Sequence, residues 1–181
     1  MPVDRRTLLV SSFAATAVGA SGLLAAASAG PRPASAPLDD VDILNIALGL
    51  EHEAIYAYGL AGKSGLLSEK AAEVGLLFQG SHEGHRDLLV KIIRQKGGRP
   101  VSPSEKYTWG VPLKDEKDVL TLAFGLEVGA ARAYLSVVPK FNDRALSEGA
   151  ARILGDEVLH ATVLRSVLGR DVVPSFRLIQ N

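Results

Sequence analysis

The chain has 181 residues, with 20 basic and 20 acidic side chains and no cysteine. A formal net charge of zero leaves no electrostatic footprint for nucleic acid or for an anionic membrane surface. The absence of cysteine excludes disulfides, thiolate metal sites, thioether-linked haem and cysteine nucleophiles together. Hydrophobic residues make up 47% of the chain and aromatics only 6%, a composition that suits closely packed helices better than a β-sandwich.

Residues 1–36 read as an export segment and linker. Arg5-Arg6 precedes Leu8, Leu9 and Val10, and a weakly apolar Ala/Gly/Ser/Leu run follows. Ala27-Ser28-Ala29 and Ala34-Ser35-Ala36 both fit a small-x-small cleavage site. The paired arginines before an apolar run resemble a twin-arginine signal, which implies export to the periplasm or the cell exterior. Alanine and glycine make this run a poor stable span, so no membrane anchor is expected once it is removed. About 150 residues remain, enough for one domain with a real core.

That domain is expected over residues 37–170. Asp39 or Asp40 can cap a first helix over 41–61, where Ile43, Leu44, Ala47, Leu50, Ala54, Ile55 and Tyr58 recur at helical spacing. A glycine-containing stretch at 62–65 ends it. A second helix is expected over 68–96, with Val74, Leu77, Phe78, His82, His85, Leu88, Leu89 and Ile92 on one stripe and Gly97-Gly98 as its stop. Residues 99–114 hold Pro100, Pro103 and Pro112 and read as a long crossover that Tyr107 and Trp109 pin to the helices. A third helix over 115–138 is closed by Pro139. Asn142 or Asp143 caps a fourth that runs to 168 and stops at Gly169. Residues 171–181 read as a surface tail. The pattern is an all-α, four-helix bundle with one long crossover between helices 2 and 3.

The helices come as two similar pairs. Residues 42–61 align with 118–137 at a constant offset of 76, and nine of the twenty positions are identical, among them Glu51/Glu127, Ala54/Ala130 and Tyr58/Tyr134. Gly49 and Gly125 both sit two residues before the acid. Glycine inside a helix costs about 1 kcal/mol relative to alanine, so its recurrence points to a close backbone approach. His82-Glu83-Gly84-His85 aligns with Glu157-Val158-Leu159-His160 at an offset of 75, each followed by an apolar pair, Leu88-Leu89 and Val163-Leu164. Residues three apart in a helix project from one face, close enough to hold one ion. Each half thus contributes an acid from one helix and an x-x-x-His step from the next: Glu51, His82 and His85, then Glu127, Glu157 and His160. Three carboxylates buried together are costly unless protons or metal neutralise them. Imidazole with carboxylate suits iron, manganese or zinc. His52, Glu53, Glu83 and Asp156 lie a step or two around their helices and are expected beside this set or at the surface.

At these residues the chain resembles the ferritin-like superfamily, over nearly all of 40–168. It is most similar to exported bacterial ferritin-like domains with an E-H-x-A-x-Y-A-Y-G stretch, here Glu51-His52-Glu53-Ala54-Ile55-Tyr56-Ala57-Tyr58-Gly59. The resemblance implies a metal site with Glu51, Glu127, Glu157, His85 and His160 as ligands. His82 stands where the superfamily pattern has a bridging glutamate. Two divalent ions against three carboxylates leave about one positive charge, and one ion leaves about one negative, so one or two Fe or Mn ions, or Zn, are consistent with the set. Tyr58 and Tyr134 lie two turns beyond Glu51 and Glu127 on the same face and either hydrogen-bond the site, buffer oxidising equivalents, or pack as core aromatics. Three readings follow: an oxidoreductase reacting with oxygen or peroxide or oxidising Fe(II), a metal-binding protein without turnover, or a structural or partner-binding bundle with a degenerate site. A homodimer is the default for the class.

Overall fold

In a computed structural model, which describes residues 38–172, the chain forms α1 (Asp40–Lys63), α2 (Glu69–Gln95), α3 (Glu116–Val137) and α4 (Arg144–Val167), with a 3-10 turn over Val138–Lys140 between the last two. There is no strand among the described residues. The expected leader and most of the expected tail lie outside them. Each helix begins at a side-chain cap. Asp39 and Asp42 form a reciprocal capping box at α1, Ser68 caps α2, Asp115 caps α3 and Asp143 caps α4; each satisfies a backbone N–H that has no partner inside its helix. Asp40, the other candidate for the first cap, instead accepts from the backbone N–H of Asn142 at 2.8 Å and ties the start of α1 to the α3–α4 turn.

The helices pack as two pairs. α1 lies mainly against α2 and α3 against α4, α1 meets α3 over a shorter stretch, and α2 and α4 stand farther apart. The interior therefore has three zones along the bundle axis. One end is a filled apolar core of Leu44, Ala47, Leu48, Leu89, Ile93, Tyr134, Leu146, Ala150 and Ile153. The middle holds the polar residues Glu51, His82, His85, Glu127, Glu157 and His160, all buried. The far end, between the end of α1, the starts of α2 and α3 and the end of α4, holds a cavity of about 370 Å³ that opens to solvent beside Ser68 and Lys70.

The crossover runs along the outer face of α1. Asn45 donates from its amide to the Arg99 carbonyl at 3.2 Å and accepts from the Val101 N–H at 2.9 Å. Further on, Trp109 Nε1 donates to Glu53 at 2.7 Å, and the Tyr56 ring packs against Tyr107 at 5.2 Å and Trp109 at 6.1 Å. Tyr107 and Trp109 pin the segment as the sequence indicates. Asn45, which holds the backbone of Arg99 and Val101, and Tyr56, which packs against both rings, carry no signal of that role.

Three expectations change. Leu77 and Leu88 are 73% and 44% exposed rather than on the buried stripe. At 100° per residue both lie more than about 100° around the helix from His82, and so face away from the interior. In both apolar pairs only the second residue is buried: Leu89 and Leu164 are core, while Leu88 and Val163 face outward. Gly49 and Gly125 mark no close approach, since a Cβ at either would meet nothing within 4 Å. A residue two before an inward-facing acid is turned about 200° from it and so points out of the bundle.

The close approach is at Gly98 instead. Its N–H donates to the Ile93 carbonyl at 2.8 Å, closing the end of α2, and a Cβ there would lie 2.5 Å from Val41 Cγ1. Gly98→Ala is expected to lower the unfolding free energy by ~1–3 kcal/mol, as overpacking a closed site does. Gly49→Ala, in open space, should raise it by ~0.5–1 kcal/mol. Urea unfolding of the two variants provides the comparison. One helix among the described residues, α3 with its 3-10 extension (Glu116–Lys140), is long and apolar enough to cross a bilayer, with a mean hydropathy of 1.2; in the bundle it carries Glu127 and Tyr134 inward.

Candidate metal centre

The six residues singled out by spacing converge in one place. α1 supplies Glu51, α2 His82 and His85, α3 Glu127, and α4 Glu157 and His160, each from the helix face turned toward the others. Their donor atoms form two sets. In the first, His85 Nδ1 lies 3.5 Å from Glu51 Oε2 and 3.4 Å from Glu157 Oε1. In the second, His160 Nδ1 lies 3.5 Å from Glu127 Oε2 and 3.6 Å from Glu157 Oε2. Glu157 gives one oxygen to each. With His82 added to both, these are two groups of four whose ligand atoms lie within 4.8 Å of one another, and each can hold a metal ion.

Five atoms of the cluster are buried without a hydrogen-bond partner: His85 Nδ1, His160 Nδ1, Glu127 Oε2 and both oxygens of Glu157. Buried polar atoms are normally paired, and leaving one unpaired costs about 1–3 kcal/mol. These five are all among the six atoms of the two sets, the sixth being Glu51 Oε2, which fits a bound cation that would satisfy the five together. The mixed nitrogen and oxygen donors suit iron, manganese or zinc.

The outer oxygens are held. Tyr58 donates its hydroxyl to Glu127 Oε1, and Tyr134 donates to Glu51 Oε1 at 2.5 Å. Each tyrosine crosses from its own helix to the acid of the other half. Seven residues of helix put about 10 Å between Tyr58 and its own Glu51, so the acid within reach is the one on the neighbouring α3. Burial is the main reason both phenols stay protonated, their pKa values pushed well above the usual tyrosine range, so they act as donors. Both are hydrogen-bond partners of the cluster and also core aromatics.

His82 spans the two halves. Its Nδ1 is 2.9 Å from Glu51 Oε2 and its Nε2 is 3.3 Å from Glu127 Oε1. Carboxylates only accept, so both ring nitrogens donate and the imidazole carries a proton on each. Burial works against that charge, but the bonds to Glu127 and Glu51 outweigh it and raise the pKa to about 10. Burial is likewise outweighed at His85, raised to about 10 by Glu157 and Glu51, and at His160, raised to about 9 by Glu127 and Glu157. Burial would raise Glu51 and Glu127 as well, yet hydrogen bonds from the surrounding histidines hold both below the usual range. Glu157, which has no such hydrogen bond in place, is raised by burial.

Protons on the imidazoles thus neutralise this cluster where a cation otherwise would. Because the folded pKa values lie above the unfolded value of 6.5, their contribution to the stability of the metal-free chain is full below about pH 6.5 and is lost as the pH rises through 9 to 10. Metal must displace these protons. Calorimetric titration with Mn(II) in buffers of different ionisation enthalpy is expected to show proton release on binding and an affinity that increases with pH between 6 and 9.

Of the neighbouring groups, Asp156 Oδ2 accepts from His85 Nε2 at 3.2 Å and orients that ring. The Phe78 ring stacks on His160 with centroids 4.2 Å apart. His52 is buried away from the cluster, its Nε2 3.2 Å from the Val101 carbonyl, and Glu53 is engaged with Trp109. Glu83 joins neither group of four. In the sequence Phe78 is only part of an apolar stripe, one helical turn before His82, and nothing in that pattern signals its stacking.

A family model described as a ferritin-like domain matches residues 39–170. The chain belongs to the ferritin-like domain family. A conserved hypothetical protein from Mycobacterium tuberculosis has a similar structure, with 23% identity over 74% of this chain and 92% of that one, and a TM-score of 0.66. A ferritin-like, diiron-carboxylate protein from Bacillus anthracis is similar at 19% identity over 71% of this chain and 94% of that one, with a TM-score of 0.60. At these identities the likeness is one of fold. No curated protein matches the chain.

Proposed function

We propose that this ferritin-like chain binds Fe or Mn in the two donor sets and acts in redox chemistry with oxygen or peroxide, or in the oxidation of Fe(II). The observation that carries the reading is the coincidence of the five unpartnered buried atoms with the donor sets. A bound metal would supply the electrons and the Lewis acidity for such a reaction. The chain's own part is to hold the donors: Tyr58 and Tyr134 fix the outer oxygens of Glu127 and Glu51, Asp156 orients His85, and burial excludes bulk water. The crossed tyrosine pairs support the view that the halves arose by duplication.

The two positions are unequal. Glu127 Oε2, Glu157 Oε2 and His160 Nδ1 are all unpartnered, whereas in the other set Glu51 Oε2 already accepts from His82 at 2.9 Å. The position at His160 is therefore the first to fill, and the position at His85 fills only when His82 gives up a proton. His160→Ala is expected to abolish the tighter of two binding steps, or the only step. His85→Ala should leave a first step within about tenfold of the parent affinity. Equal losses in the two variants, measured by titration with Mn(II), would contradict this order.

A second reading, metal binding without turnover, is favoured by His82 itself. Its bonds to Glu51 and Glu127 restrain the carboxylates that would have to move during redox cycling. Peroxide consumption or Fe(II) oxidation by the metal-loaded chain, abolished by Glu127→Ala, distinguishes the two readings. We further propose export by the twin-arginine route to the periplasm or cell exterior on the strength of Arg5-Arg6 and the apolar run after it, and a homodimer as the working assembly.

A further inference from the structure

The bundle is filled at one end and hollow at the other, and the two-fold correspondence between the halves shows why. In the filled end α4 contributes Leu146, Ala150 and Ile153. At the offset of 75, the matching positions on α2 are Ala71, Gly75 and Phe78. Two of the three have lost side-chain volume, and all three line the cavity. On α3, Phe124 matches the buried core residue Leu48, but its ring faces the guanidinium groups of Arg165 and Arg170, 5.9 Å and 4.8 Å from its centroid, instead of filling the space.

The cavity, of about 370 Å³, is walled by apolar groups of all four helices, including Val74, Val119, Leu120, Ala123 and Leu164. That lies within the range of roughly 300–1,000 Å³ typical of small-molecule sites. Apart from Tyr58, its hydroxyl and charged lining groups lie at its solvent-facing rim, where Ser68 and Lys70 are exposed. Ser68, Lys70 and Glu116 come from the first turns of α2 and α3, where Ser68 and Glu116 are hydrogen-bonded to each other. The hydroxyl of Tyr58 is committed to Glu127. Ordered water needs two to four polar partners, and an apolar cavity of about 150 Å³ already accommodates benzene. Tyr58 and Phe78, which also line the cavity, separate it from the polar cluster: Tyr58 bonds Glu127 and Phe78 stacks on His160.

We propose that this cavity is a binding site for an uncharged apolar organic molecule, a hydrocarbon chain or a single aromatic ring, held with one end against Tyr58 and Phe78. The proposal rests on the cavity alone. Metal-free and metal-loaded chain are both expected to bind, so failure of the metal assignment would leave it standing, and failure of binding would leave the metal assignment standing.

The test uses toluene and n-octane as probes, titrated into the 37–181 chain and followed by methyl NMR of Val74, Val119, Leu120 and Leu164. Saturable shifts at these methyls, at one probe per chain, are expected. The variant Ala71→Leu/Gly75→Ala restores the residues that fill the opposite end, and a Cβ at Gly75 comes no closer than 3.8 Å to Tyr58. It is expected to keep the fold, raise the melting temperature, and weaken probe binding at least tenfold. Unsaturable shifts, or binding unchanged in the filled variant, would overturn the proposal. Binding seen only after residues 173–181 are deleted would overturn it too, since the chain's own tail, with Phe176, Leu178 and Ile179, would then be the occupant.

Discussion

Replacing Glu157 with leucine is expected to remove metal from both positions while leaving the metal-free fold as stable as the parent or more so. Glu157 is fully buried, neither of its oxygens has a hydrogen bond, and burial raises its pKa. In the metal-free chain it is a buried acid with no hydrogen bond, offset only by the imidazoles 3.4–3.8 Å away, and an apolar residue of similar volume removes the burial penalty. Replacing buried ionic groups by well-packed apolar ones is often neutral or stabilising by ~1–4 kcal/mol. With metal the balance reverses, because Glu157 gives one oxygen to each donor set. A ligand present at about 100 times its dissociation constant stabilises a fold by ~2.7 kcal/mol, and that increment should vanish in Glu157→Leu. Melting curves with and without Mn(II) read both effects. A variant that melts lower without metal and still gains stability with it would show that Glu157 serves packing rather than binding.

The second large effect concerns His82. His82→Glu puts a fourth carboxylate between Glu51 and Glu127 and removes the imidazolium that bonds both, at 2.9 Å and 3.3 Å. The metal-free variant then has one cation fewer and one acid more in a buried site. Breaking a buried pair and leaving its partners uncompensated costs about 3–5 kcal/mol, so the metal-free variant should melt well below the parent. Four carboxylates balance two divalent ions, so the metal-loaded variant should recover most of that loss and bind two ions per chain. Parent chain should bind its second ion more weakly than the first. A variant that is unaffected without metal would mean that the protonated bridge at His82 does not hold the cluster together.

Much of this arrangement is legible in the sequence, for a physical reason. Helical periodicity and capping residues are local, so the four helices fall within a few residues of their expected ends. The acid and x-x-x-His spacings place Glu51, His82, His85, Glu127, Glu157 and His160 on inward faces, and the structure brings all six together. What depends on the relative placement of helices is not legible. That Tyr58 serves Glu127 and Tyr134 serves Glu51 follows from the register between α1 and α3, not from either helix alone. The inequality of the two donor sets arises because one imidazole, His82, stands on one side of an otherwise matched cluster and bonds Glu51 Oε2 while leaving Glu127 Oε2 free. The cavity follows from Ala71 and Gly75, small residues of ordinary helical sequence that mean something only beside Leu146 and Ala150.

The most direct measurement is elemental analysis of the purified chain, expressed with iron and manganese supplied, combined with anomalous diffraction at the two metal edges. Near-stoichiometric iron or manganese is expected, with an anomalous peak among Glu127, Glu157 and His160 and a second, weaker or equal, among Glu51, Glu157 and His85. A chain free of both metals, or a peak elsewhere in the bundle, would contradict the assignment of these residues.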